Sequence, residues 1–173
     1  MLFTYKKTDK SIFGDSFEKA IKIVLDRSNA DRISKPGMCD FRIGRKNYEI
    51  KQNGGVIRYA DDKTYIKGSN RIIYATHISY QIIAEDNENI TIDIDLADTQ
   101  MYILDRQEFV KFLLENGYGK YNVKRRELNI QTLYNYKKDA YHGAKGKRLE
   151  EWAREHEIDD PIIDEILEKV WAE

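Results

Sequence analysis

Residues 38 to 52, Met-Cys-Asp-Phe-Arg-Ile-Gly-Arg-Lys-Asn-Tyr-Glu-Ile-Lys-Gln, alternate apolar and polar side chains on both sides of a Gly/Asn-containing turn. That period predicts two short antiparallel strands, about 39–43 and 48–52. Side chains switch faces at every strand residue, so Cys39, Phe41 and Ile43 point one way and Asp40 and Arg42 the other. Tyr48, Ile50 and Gln52 likewise separate from Glu49 and Lys51. With the apolar faces in agreement, Asp40 is expected opposite Glu49 or Lys51, and either register collects all three on one face.

Two carboxylates and an ammonium on one face of a hairpin have a chemical use. Opposed carboxylates repel unless a cation lies between them, and Mg²⁺ is held by one or two carboxylates with its other positions left to water and phosphate oxygen. Lys51 could then orient or deprotonate a metal-bound water for attack on phosphorus. The structural alternative is a half-exposed hairpin with a solvated charged face, as antiparallel sheets often have.

Asp40 followed after a tight turn by Glu49-Ile50-Lys51 resembles the PD-(D/E)xK motif of the restriction-endonuclease-like nuclease superfamily. There, an Asp ends one strand and an acidic-x-Lys triplet occupies the next. The Pro-Asp pair is absent as such; Pro36 stands four residues before Asp40. The resemblance covers roughly residues 10–115. It implies an α/β fold with a mixed central sheet flanked by helices, and a Mg²⁺-dependent endonuclease, with Mn²⁺ able to substitute. Asp40, Glu49 and the Ile50 carbonyl would be metal ligands, Lys51 the residue that positions or activates water, and Glu18 an accessory acid. The substrate implied is DNA, expected as duplex. A restriction-type enzyme is the most natural setting, while repair, resolvase and toxin nucleases, or a non-catalytic nucleic-acid-binding module, share the same residues.

The flanks supply the rest of such a domain. Met1–Tyr5 suits a short strand. From Asp15, the residues Phe17, Ala20, Ile21, Val24 and Leu25 recur at helical spacing. Asp15 and Glu18 form a capping-box pattern, so Glu18 is either a cap or an acid facing the hairpin. Gly54-Gly55 reads as a turn, or as a place where a phosphate backbone could approach. Gln52 is expected on the face opposite Lys51. Strand signals continue at 56–59, 64–67, 71–77 and 90–96, with the acidic 85–89 as a solvated loop. Asp93 and Asp95 share a face, best explained as a wet sheet surface. His77 has no partner at zinc-ligand spacing. Asp105-Arg106-Gln107-Glu108 caps a second helix that carries Phe109, Phe112 and Leu113 and ends at Asn116-Gly117.

Beyond residue 117 the composition changes. Between Tyr118 and Arg148 stand Lys120, Lys124, Arg125, Arg126, Lys137, Lys138, Lys145, Lys147 and Arg148, with five interleaved tyrosines and only Glu127 and Asp139 as acids. A basic, aromatic-studded surface is the electrostatic footprint of a phosphate-backbone binder. From Leu149 onward acids dominate, and Trp152, Ile158, Ile162, Ile163, Ile166 and Leu167 mark amphipathic helices broken near Asp159-Asp160-Pro161. The expected organisation is a nuclease-like core over 1–117 and a basic-then-acidic helical region over 118–173. That helical end could pack on the basic segment, form a homodimer surface or bind a protein partner.

The 173 residues are 41% hydrophobic, enough for a real core, and the formal net charge of -1 leaves only charge distribution informative about partners. One cysteine excludes an intrachain disulfide, and no apolar run approaches a membrane span, so a reducing cytoplasm is the default expectation.

Overall fold

A computed structural model describes residues 1–26, 31–32, 39–58 and 70–172. In chain order the elements are β1 (Leu2–Lys6), α1 (Ile12–Asp26), β2 (Asp31–Arg32), β3 (Phe41–Ile43), β4 (Lys46–Gln52), β5 (Gly55–Arg58), β6 (Asn70–Ala75), β7 (Ser79–Glu85), β8 (Asn89–Asp95) and β9 (Tyr102–Asp105). There follow α2 (Arg106–Glu115), β10 (Gly119–Asn122), β11 (Glu127–Ile130), β12 (Tyr134–Asn135), β13 (Ala140–Tyr141), α3 (Lys145–Glu155) and α4 (Ile162–Trp171).

The central sheet has the order β2-β3-β4-β6-β9. It is mixed: β4 and β6 run parallel, and the other neighbours are antiparallel. Alternation divides its side chains between two cores. Tyr48, Ile50 and Ile73 join α1, α4 and the β1-β8-β7 sheet. Ile72, Tyr74 and Leu104 face the other way, towards α2, α3 and the β10-β11-β5 sheet. A mixed sheet covered on both faces satisfies the layer rule for α/β domains, and the mixed α/β class expected from sequence is what the chain forms.

The link from β4 to β6 departs from a simple meander. Gln52 leads through Asn53, buried at a φ of 56°, into β5, which leaves the central sheet to pair with β11. Asn53 donates its side-chain amide to the Tyr134 carbonyl at 2.8 Å and accepts from the Leu133 and Tyr134 amides at 2.9 and 2.8 Å. Asparagine tolerates the left-handed region because its short amide finds local partners. Gly54 is required by contact: a Cβ there would lie 2.7 Å from Thr132 Oγ1 and 3.2 Å from the Ile130 carbonyl oxygen.

Two expectations need correction. The first helix begins at Ile12, not at Asp15. Ile12 and Phe13 pack on the core, and Phe13 stacks on Tyr136 with ring centroids 3.9 Å apart, so one more turn is fixed by burial. Asp15 therefore lies within the helix, where it accepts from the Tyr5 hydroxyl at 2.7 Å and pairs with Lys19 at 3.0 Å.

The second concerns the region after residue 117, which is not helical until Lys145: residues 119–141 carry four short strands, and α3 and α4 follow. The reason is local alternation. In β11, Leu128 and Ile130 are buried while Asn129 is exposed, a period of two. Both cores draw on residues from either side of Gly117, Leu128 and Leu149 in one and Ile162 and Ile166 in the other. The second helix is as the sequence indicates, with Asp105 accepting from the Glu108 amide at 3.0 Å and Asn116-Gly117 closing it. Strand signal 64–67 lies outside the described residues.

Candidate active site

The hairpin has the expected register, Phe41 opposite Tyr48, with the two rings stacked 4.9 Å apart beneath α1. Asp40 lies just before β3. Its amide donates to the Tyr48 carbonyl at 2.8 Å, and its Oδ2 accepts from the Ile50 amide at 2.7 Å. A side-chain carboxylate thus takes the acceptor position that a continuing strand would fill. Backbone N–H and C=O of one strand residue point to the same side, so the Ile50 carbonyl also lies on the Asp40 side of β4.

The partner of Asp40 is Glu18, nearly two turns into α1. The two carboxyls share a hydrogen bond, and Lys22 lies 3.0 Å from Glu18 Oε1 and 3.9 Å from Asp40 Oδ1. Burial, together with the nearby Glu18 carboxylate, pushes the Asp40 carboxyl up to about 7. Burial acts in the same sense on Glu18, but the Asp40 hydrogen bond, Lys22 and Lys51 outweigh it and hold Glu18 low. The shared proton therefore resides on Asp40.

Glu49 is placed differently. It sits opposite Ile72 in the sheet, on the α2 side, where its Oε2 lies 3.3 Å from the Arg106 Nε. Arg106 also donates to the Arg58 carbonyl. Both side chains are nearly buried, 13% and 11% exposed, so this pair is anchored rather than solvated. Asp40 and Glu49 are thus neighbours in register, but the expectation that both acids gather on one face is not met: Asp40 engages Glu18 and Lys22 of α1, and Glu49 engages Arg106 of α2 on the other side of the sheet.

Lys51, Gln52 and Glu18 meet at an open cleft of about 660 Å³. One wall is the start of α1, from Ile12 to Asp15; the other runs from Ile50 through Gly54-Gly55 to Thr132 and Tyr136. Gln52, expected to face away from Lys51, shares this cleft with it because β4 ends there and the chain turns at Asn53. The Tyr136 hydroxyl donates to Gln52 Oε1 at 2.7 Å and accepts from the Ile78 amide at 2.9 Å. The carboxamide is thereby oriented, its nitrogen lying towards Gly14. Sequence alone does not single out Lys22, and it marks Arg106 only as part of a helix start and Tyr136 only as one of the tyrosines of the basic stretch. Only Lys22 carried a signal, its place one helical turn after Glu18.

Comparison with protein-family models, curated proteins and solved structures finds no match. The site therefore rests on its own geometry. Among the described residues, no three Asp, Glu, His or Cys side chains form a ready-made metal cluster. The donor set nonetheless suits a hard divalent cation in one respect. Two carboxylates close enough to share a proton, with a backbone carbonyl on the same side, are oxygen ligands that such an ion could bridge once the proton leaves.

The basic residues separate into three places. Lys124, Arg125 and Arg126 form the exposed β10–β11 turn; Lys137 and Lys138 form the β12–β13 turn; Lys145, Lys147 and Arg148 open α3. Lys145 is drawn back onto the Gly117 carbonyl and Gln131 at 3.2 and 3.3 Å. His77 stacks on Tyr134 at 4.3 Å, and its Nδ1 lies 3.3 Å from the Tyr141 hydroxyl, an aromatic packing role. No helix among the described residues is long and apolar enough to cross a membrane.

Proposed function

We propose that the protein is a metal-dependent endonuclease hydrolysing phosphodiester bonds of DNA. The observation that carries this reading is the Glu18–Asp40 carboxylate pair beside an open cleft lined by Lys51. Asp40, Glu18 and the Ile50 carbonyl would hold Mg²⁺, which when bound supplies Lewis-acid activation of phosphate and water. Lys51 stands in the cleft as the ammonium that orients the attacking water and balances charge on the phosphate. Asp40 must lose its proton before it serves as a ligand, and Lys22 offsets the charge this leaves on the pair. Gln52, held by Tyr136, offers an amide donor on the same wall.

The test is conversion of supercoiled plasmid in Mg²⁺ or Mn²⁺ by the wild type beside Lys51→Ala, Asp40→Asn and Glu18→Gln. Cleavage by the wild type that all three substitutions abolish supports the reading; cleavage unaffected by them removes it.

A second reading, a nucleic-acid-binding module without catalysis, is favoured by the Arg106 anchor on Glu49, which occupies the acid of the acidic-x-Lys triplet. Glu49→Gln separates the two. Loss of cleavage with retained folding makes Glu49 a ligand as the motif implies, whereas duplex binding by a wild type that cleaves nothing supports the second reading.

A further inference from the structure

We infer that the β5-β11-β10 sheet is a wing that grips the phosphate backbone of duplex DNA beside the cleft. This inference deepens the proposed function, and its binding component stands whether or not the cleft is catalytic.

The wing starts at the cleft itself. Gly55, the first residue of β5, lines that cleft, as does Thr132, just beyond β11. From there β5 runs to Arg58, which is paired with Glu127 at the far end of β11. At ~3.3 Å per strand residue this is about 10 Å, and the β10–β11 turn extends it further. One strand of duplex DNA presents a phosphate about every 3.4 Å of helix axis. A duplex seated in the cleft and lying along the wing would thus pass roughly three or more phosphates of one strand.

The two faces of the wing differ as a binding surface requires. Ile57, Leu128 and Ile130 point inward and are buried in the core against α2. Arg58, Lys120 and Asn129 are exposed, and the turn adds Lys124, Arg125 and Arg126. Over the three strands and their turn, five cations stand against one acid, Glu127. The turn is held in shape: Arg125 donates its amide to Asn122 Oδ1 at 3.1 Å, and Arg126 has a φ of 51°. Its tip residue Val123 is 77% exposed. A ribbon with one outward cation on β5, one on β10 and three more in the β10–β11 turn suits a phosphate backbone, where contacts confer affinity without reading sequence.

The test is fluorescence anisotropy of a labelled duplex of about 25 base pairs in EDTA, so that cleavage cannot intervene, titrated at several salt concentrations. The variant Lys120→Ala/Lys124→Ala/Arg125→Ala alters exposed residues only, and circular dichroism confirms that it folds. It should bind at least tenfold more weakly at 0.1 M salt, and the slope of log affinity against log salt should become shallower by about 2–3, at ~0.9 per phosphate contact. Lys111→Ala, an exposed lysine on α2, should leave both values within about twofold. Unchanged affinity and slope in the triple variant overturn the wing. So does a wild type that fails to bind duplex, or that binds the single strand more tightly. Wing-dependent binding by a protein that never cleaves plasmid retains this inference while removing the nuclease reading.

Discussion

Asp40 and Glu18, carboxyls on different elements, share a hydrogen bond that raises the one and lowers the other, while Asp40 Oδ2 accepts from the backbone amide of Ile50. A carboxyl held protonated near neutrality binds a proton in the folded chain that it releases in the unfolded one. Between its ordinary value of 3.8 and about 7, the folded state binds more protons at this position. The contribution of Asp40 to stability is therefore complete at low pH and is lost as pH rises through about 7. The lowered Glu18 works in the opposite sense, its contribution being lost as pH falls below the usual carboxyl range.

The first prediction follows directly. Without divalent cation, the melting temperature of the wild type should fall by about 3–6 °C between pH 5.5 and pH 8, on the scale expected for ~1–2 kcal/mol in a chain of this size. Asp40→Asn should flatten that fall and be the more stable protein at pH 8. Saturating Mn²⁺ at pH 8 should restore the wild type and leave Asp40→Asn unmoved. Differential scanning calorimetry at the two pH values decides it, and a wild-type curve parallel to that of Asp40→Asn would refute the shared proton.

Lys51→Ala should reduce plasmid cleavage by about 10²–10⁴, the range for a residue that assists proton transfer or charge balance. Duplex affinity should change by less than threefold, because the wing supplies the backbone contacts. An equal loss in cleavage and in binding would make Lys51 an ordinary phosphate contact.

Asp160 links the end of the chain to the hairpin. Its Oδ2 accepts from the Tyr48 hydroxyl and from Arg71, each at 2.6 Å, and its Oδ1 from the Ile162 amide at 2.9 Å. These donors overcome burial and keep the Asp160 carboxyl low. Asp160→Ala would leave Arg71 without this carboxylate in a site where Arg71 is 11% exposed. The expected cost is about 3–5 kcal/mol, read by urea unfolding. A cost below ~1 kcal/mol would show that α4 is held by apolar contacts alone.

Arg106 and Glu49 should behave as a unit. Arg106→Ala and Glu49→Ala should each destabilise by about 2–4 kcal/mol, and the double variant should cost clearly less than their sum. Additive losses would mean that the two side chains serve unrelated neighbours.

Much of this was legible in the chain. The period-two pattern around Gly44 placed β3 and β4, and the Asp105 cap placed α2, because both signals are local. What failed was set by distant packing. Nothing near Asp15 announces that Phe13 will stack on Tyr136, and that contact lengthens α1. From sequence the region after residue 117 is expected to be helical and its tyrosines to stud a basic surface, yet Tyr134, Tyr136 and Tyr141 lie in or beside short strands and pack around His77 and Tyr80. At the site, the alternation gave the register that sets Asp40 across from Glu49, but not the single shared face expected of their carboxylates. It could not reveal which partner each carboxylate would find, since Glu18 and Arg106 approach from opposite faces of the sheet.

The buried left-handed Asn53 has a consequence for dissecting the molecule. Its amide is a rivet between the floor of the cleft and residues 133–134, so the cleft has no independent scaffold. Cutting the gene after codon 117 would strip that rivet of its counterpart and bare Ile57 and Phe109. The resulting fragment should emerge as an insoluble product, not as a minimal enzyme.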